Sequence, residues 1–356
     1  MDLGVCVASH IGDVDYVVRA EELGYTHAWL ADSQMLWSDC YATLALAATR
    51  TNQIKLGTGV AITGTRPAPV NAAGIATINA IAPGRTFFGV GAGNTAMRVM
   101  GLPPHRIKQF EQYLKTLIPL LKGEESELHV GDKSLPIKHI MPDNGFVNFK
   151  DPIPLYISGF GPKSLALAGK YGDGAVLGVN TPETVSGMWH LIQKGAKEVN
   201  RTLKPKENYY TTALTSMVVL EEGEAVDSDR VKSECGAMAM AAVHYNYDQY
   251  RNFGHQPLNA FAEIWEDYTS LLESFPEEKR HQRIHEGHNC WVLSEEEKFL
   301  TPKVLTASNM IGTQDQLLER LYKLSESGLD QVMILPNFDT RYEVIERVAK
   351  DLIKNT

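Results

Sequence analysis

The chain is 356 residues long, 44% hydrophobic and 22% charged, the composition of a globular protein with a sizeable core. Its net charge of -9 argues against a nucleic-acid surface, and no apolar run approaches the roughly 18–20 residues that span a bilayer. No basic segment precedes the first apolar stretch, so no secretory leader is expected, and four scattered cysteines without a CxxC pair read as reduced thiols of a cytoplasmic protein.

In chain order, 3–8 reads as a strand and 14–23 as a helix that Gly24 ends, because glycine takes the left-handed conformation that follows a helix. A strand at 26–31 leads into Asp32-Ser33-Gln34, and 40–49 is a second helix. The stretch 56–94 organises the rest. It holds a strand (56–62), a bend at Arg66-Pro67-Ala68-Pro69, an Ala/Ile/Val-rich helix (70–81) stopped by Pro83-Gly84, and a buried strand (86–90) running into Gly91-Ala92-Gly93-Asn94. Glycines where both strands end leave room for a ligand to approach backbone closely. A helix at 106–121 shows apolar residues at spacings of three and four, and His129-Val130-Gly131-Asp132 suggests a hairpin. Strand 154–158, helix 163–171, strand 174–177, helix 182–199 and a long strand 209–220 follow, and the chain closes with helix 316–327, strand 331–335 and helix 340–354. About eight strands alternating with helices predict a (β/α)8 TIM barrel, with an open doubly wound sheet as the alternative.

The surplus length lies at 221–303, after the seventh predicted strand. It carries an aromatic block around Tyr245, Tyr247 and Tyr250 and a His-rich block from His281 to His288. Within a single 1–356 domain, a long excursion from this face of a barrel is expected to act as a lid or substrate wall.

Several constellations bear on chemistry. Ser158-Gly159-Phe160-Gly161-Pro162-Lys163-Ser164 follows a strand and opens a helix, where free amides suit a phosphate, although it is not a Walker loop. Gly178-Val179-Asn180 sits where it can complete that cradle. Asp32, with Trp37 nearby, ends a strand at the face where barrels keep their chemistry; it either orients a ring, moves a proton, or caps the next turn. His10 follows the first strand and so falls at the barrel mouth, while His285 and His288 lie on the insertion. His281, His285, His288 and Cys290 do not form HExxH, and no metal site is expected; GxSxG and GxGxxG are also absent.

Taken together, these motifs resemble the bacterial-luciferase-like family of flavin- and deazaflavin-dependent oxidoreductases. The carriers are Ala20-Glu21-Glu22-Leu23-Gly24-Tyr25, Ala31-Asp32-Ser33-Gln34, Leu56-Gly57-Thr58-Gly59-Val60, Arg66-Pro67-Ala68, Pro83-Gly84-Arg85, Gly89-Val90-Gly91, Gly161-Pro162-Lys163-Ser164 and Ile311-Gly312-Thr313. The resemblance implies a barrel that binds an isoalloxazine ring at the carboxyl ends of its strands. Thr58, Gly59 and Val60 then match a bulge behind the ring, often with a non-prolyl cis peptide, and Asn94 matches a ring-edge contact. Asp32 and Ser33 match the second-strand ring contact, Ser33 standing where some members have histidine. Gly159, Gly161, Lys163 and Ser164 match the phosphate loop, with Gly178 and Val179 on the next strand end. Catalytic roles are expected for Asp32, His10, His285 and His288.

The family offers two chemistries. One uses reduced FMN, supplied by a separate flavin reductase, and O2 to oxygenate a small organic substrate; the other uses coenzyme F-420 for hydride transfer. The 32–34 and 57–60 segments look closest to the deazaflavin branch, whereas the modest arginine and alanine content leads this reading to FMN-dependent monooxygenation, with F-420-dependent hydride transfer as the alternative. A homodimer is implied by the resemblance, and a non-catalytic flavin-binding barrel and a metal-dependent hydrolase are the readings from other classes.

Overall fold

The alternation of apolar strands and amphipathic helices closes into a barrel in the computed structural model, which describes residues 1–178 and 181–355. The elements are β1 (Asp2–Val7), α1 (Asp15–Glu22), β2 (His27–Leu30), α2 (Cys40–Arg50), β3 (Lys55–Ile62), α3 (Ala68–Ile81), β4 (Thr86–Gly91), α4 (Asn94–Arg98) and α5 (Ile107–Leu121). They continue with β5 (Ser126–Val130), β6 (Lys133–Ile137), β7 (Leu155–Ser158), α6 (Pro162–Tyr171), β8 (Gly174–Leu177), α7 (Pro182–Lys197), β9 (Tyr210–Val219) and α8 (Asp229–Phe253). The chain ends with α9 (Trp265–Glu273), α10 (Arg280–Arg283), α11 (Pro302–Ser308), β10 (Asn309–Gly312), α12 (Gln314–Glu326), β11 (Gln331–Ile334) and α13 (Arg341–Asp351). Around the barrel the parallel order is β1-β2-β3-β4-β7-β8-β9-β11, and the β8–β9 and β11–β1 pairings close it. Closure removes the open-sheet alternative: the fold is a (β/α)8 barrel.

Local chemistry explains the element ends. Gly24, at φ +92°, lets the amide of Tyr25 return to the Ala20 carbonyl and ends α1. Asp39, not Asp32, caps α2, its Oδ1 accepting from the amides of Tyr41 and Ala42 at 3.0 Å each. The expected hairpin is β5–β6, antiparallel around Gly131.

The long predicted seventh strand does two jobs. Its first half pairs with β8 and β11 inside the barrel, and 216–219 runs on beyond them to pair with β10, an extra strand that no apolar run announced. Between β9 and β10 the chain builds α8 to α11, and Val231, Cys235, Val243, Phe261, Tyr268 and Leu305 of this stretch form a core of their own.

The barrel interior is filled at its amino-terminal end by Trp29, Phe87 and Tyr156, with Trp29 and Phe87 centroids 4.3 Å apart. Beside and above these rings β3 and β4 carry glycine. A Cβ on Gly57 would stand 2.3 Å from the Phe87 ring, one on Gly59 2.6 Å from Trp29 Cβ, and one on Gly89 2.2 Å from the Thr58 carbonyl oxygen. Large rings below and bare backbone above give a plugged barrel with an open upper half. The β3–β4 register shifts between Thr58 and Ala61, and the Gly59–Val60 peptide is cis.

Candidate functional site

The carboxyl ends of the strands surround a cavity of about 420 Å3, within the ~300–1,000 Å3 typical of cofactor and substrate sites. The barrel contributes Asp32, Ser33, Gly59, Val60, Asn94, Gly159, Gly161 and Ser164, and the insertion contributes Tyr245, Gln249, Phe253, His288 and Asn289. Strand ends and insertion thus meet over one space.

Asp32 is buried and fully engaged. Its Oδ2 accepts from Arg66 Nη1 at 2.5 Å and from the Ile62 amide at 3.4 Å, while Arg66 Nη2 reaches Asp39 at 2.7 Å. A pair this enclosed fixes the carboxylate in one position, which suits a role in orientation. Asn94 opens α4, and its Oδ1 accepts from Arg98 Nε at 2.9 Å.

At the other side of the mouth, α6 begins with Pro162, and the amides of Lys163 and Ser164 have no acceptor among the described residues. Ser164 Oγ donates to the Gly161 carbonyl at 3.0 Å, holding the loop in register. No protein atom lies within 4 Å of where a Gly161 Cβ would stand. An open pocket faced by free helix-start amides fits a phosphate. Gly161→Val is therefore expected to leave the melting temperature unchanged and weaken FMN at least tenfold while riboflavin, lacking the phosphate, is little affected. Equal losses for both ligands in paired titrations would move the phosphate elsewhere.

The two lid histidines differ. His288 lines the cavity, its Nε2 accepting from Asn289 Nδ2 at 3.0 Å and lying 3.4 Å from Thr95 Oγ1. His285 lies behind it, rings 5.5 Å apart, and donates from Nδ1 to the His281 carbonyl at 2.8 Å. Burial is the main cause that lowers both, His285 to about 4 and His288 well below its ordinary value, with neighbouring imidazoles adding to it. Both rings are neutral at pH 7 and so hydrogen-bond rather than act as stored acids.

Other expected residues are not brought together. His10 is exposed, packs on Phe338 at 5.6 Å and belongs to a small separate cleft by Asp13 and Arg341. Thr58 is buried and donates its hydroxyl to the Gly89 carbonyl at 2.6 Å, facing the neighbouring strand. Lys163 is exposed and lies outside the cavity wall, and Gly178 instead makes room for the Phe160 ring. Val179 lies outside the described residues. Among the described residues no group of three or more His, Cys, Asp or Glu side chains could hold a metal. None of the described helices is long and apolar enough to cross a membrane.

Sequence reading missed Cys6, Arg98 and His105 in the wall. Burial pushes the Cys6 thiol up to about 12, leaving it a protonated bystander. Arg98 sits four residues after Asn94 on the same face of α4, a spacing that was legible, but nothing in the sequence said that this face is covered by α8.

Comparison with known proteins is consistent with this geometry. A 5,10-methylenetetrahydromethanopterin reductase of Archaeoglobus fulgidus is 26% identical over 343 residues, covering 95% of this chain and 93% of the relative. The solved coenzyme F420 dependent tetrahydromethanopterin reductase of Methanopyrus kandleri superposes with a TM-score of 0.68 at 19% identity, over 99% of both chains. The oxygenating constituent of a type II Baeyer–Villiger monooxygenase from Pseudomonas putida, solved with FMN, gives 0.63 at 14% identity over 100% of this chain and 98% of that one. The luciferase-like monooxygenase family model matches residues 12–331, and the chain belongs to that family of oxidoreductases.

Proposed function

We propose that this protein is a coenzyme F-420-dependent oxidoreductase that moves a hydride between the deazaflavin and a small organic substrate held in the barrel mouth. The observation that carries this reading is the likeness, along 95% of the chain, to a methylenetetrahydromethanopterin reductase. It reverses the order reached from sequence, where FMN and O2 stood first. The cavity supports the reversal. Phe160 and Phe253 line it while 50% and 60% exposed, so the mouth is open to water, whereas oxygenation calls for a dry enclosure.

In this reading the deazaflavin supplies the hydride, and the protein supplies position and electrostatics. Val60, Ser33 and Asn94, which line the cavity, would hold the ring, and the Asp32–Arg66 pair fixes the strand end that carries Ser33. The Lys163 and Ser164 amides would hold the phosphate. His288 faces the substrate as a neutral hydrogen-bond partner, and His285 holds it from behind. Neither a flavin reductase nor O2 is then required.

The FMN monooxygenase reading remains the second one, on the likeness to the FMN-bound Pseudomonas enzyme. Anaerobic titration with reduced F-420 and with reduced FMN, followed by air, separates them. Tighter binding of the deazaflavin and indifference of the bound cofactor to O2 are expected. Preference for reduced FMN with rapid O2 consumption would establish the oxygenase instead, and binding of neither would remove both.

A further inference from the structure

The geometry points to an oxyanion subsite at Arg98: the cavity takes an organic acid whose apolar body lies against the barrel mouth and whose carboxylate is clamped by the forked end of this guanidinium. The inference rests on reading the cavity as a substrate site, and not on which cofactor accompanies the substrate.

Arg98 is 7% exposed and lines the cavity from α4. Its Nε donates to Asn94 Oδ1 at 2.9 Å and stands 3.3 Å from Asp248 Oδ2 on α8. Among the described residues, Nη1 and Nη2 make no hydrogen bond, neither is a sealed atom left without a partner, and the residue borders the cavity. A guanidinium fork that meets solvent but no protein acceptor keeps its donors available to a ligand that displaces that water. Two parallel N–H groups at that end fit the two oxygens of a carboxylate or phosphate.

Asp248 does not fill this role. It approaches from the Nε side, and burial, its main perturbation, raises its carboxyl above the usual range although Arg98 opposes the shift. It serves as the resting counter-charge of an arginine whose reading end stays free. The rest of the wall favours carbon: Trp37, Val60, Ile62, Phe110, Leu214 and Met333 face the same space. Apolar walls with one placed cation select an amphipathic acid over a neutral analogue, because the neutral ligand leaves the fork unpaired.

Benzoate and benzyl alcohol, matched in shape and differing in charge, test this by titration calorimetry on the full chain without cofactor, with FMN affinity measured in parallel. The wild-type protein is expected to bind benzoate at least tenfold more tightly. Arg98→Met should abolish that preference, Arg98→Lys should keep part of it, and Asp248→Asn should tighten benzoate by removing a neighbouring negative charge while leaving the fork in place. A merely structural Arg98–Asp248 latch predicts the opposite for Asp248→Asn, a loosened site. Equal binding of the two probes, binding of neither, or a preference that survives Arg98→Met overturns the proposal. So does a loss of FMN affinity in Arg98→Met with the benzoate preference intact, which would give Arg98 to the cofactor's phosphate. A protein that selects benzoate yet binds neither FMN nor F-420 would keep the subsite and remove the oxidoreductase reading.

Discussion

Between pH 7 and pH 5 the protein is expected to lose at least about 4 kcal/mol of stability, chiefly through histidines that are buried neutral. His27 lies inside the barrel, fully buried, with Gln331 Nε2 donating to its Nδ1 at 2.7 Å. Burial, assisted by Lys55, pushes it down to about 3, and His285 is held at about 4. In the unfolded chain both return to about 6.5. As pH falls below that value the unfolded state binds protons that the native state refuses, so stability falls with pH. The loss begins near 6.5 and for each residue levels off only below its folded value. At pH 5 each group contributes about 2 kcal/mol of the loss. The carboxylates held below their usual range, such as Glu224 at about 2 and Asp39, add to the loss only at more acid pH. Urea midpoints at pH 7 and pH 5 check the expectation, and His27→Gln should remove about 2 kcal/mol of the difference. Equal midpoints would mean that these imidazoles are reached by water.

Glu234→Ala is expected to cost about 3–5 kcal/mol and to free the insertion from the barrel. The Glu234 side chain is 4% exposed, and its Oε1 accepts from Arg230 Nη1 at 3.0 Å and from Arg347 Nη1 at 2.6 Å. Arg230 lies on α8 and Arg347 on α13, so one carboxylate ties the insertion to the closing helix of the barrel. Arg230 keeps Glu224 and the Val219 carbonyl after the substitution, while Arg347 is left half-buried without this partner. Because α8 also carries Tyr245, Asp248 and Gln249, loosening it should expose 254–298 to limited proteolysis and weaken ligand binding together. Glu234→Gln, which retains an acceptor, should cost clearly less. Unaltered proteolysis in Glu234→Ala would show that the insertion's own core anchors it.

The barrel was legible because parallel strands buried on both faces read as short apolar runs, and 26–31, 56–62, 86–90 and 174–177 are such runs. Part of the site was legible for a related reason: Gly59, Gly91 and Gly161 stand where backbone meets a close neighbour or open space, a demand that glycine alone meets cheaply. Strand β10 was not legible, since Asn309–Gly312 is too short to show a period and is held by the extension of β9.

What the sequence by itself determined, then, is the order of the strands and helices of the barrel, the glycine-lined mouth and the family. Tertiary structure decided which charged and polar side chains share that mouth. Asp32 could have capped a turn or moved a proton, and Arg66, 34 residues on, settled it as an ion pair. His10, at the end of the first strand, was the stronger candidate in sequence, until the fold set it in solvent against Phe338 and put His288 in the cavity wall. Arg98 gained meaning only when α8 covered it. Periodicity and turn chemistry act between near neighbours and leave their mark in the sequence, whereas burial and pairing across tens to hundreds of residues are set only when the chain closes.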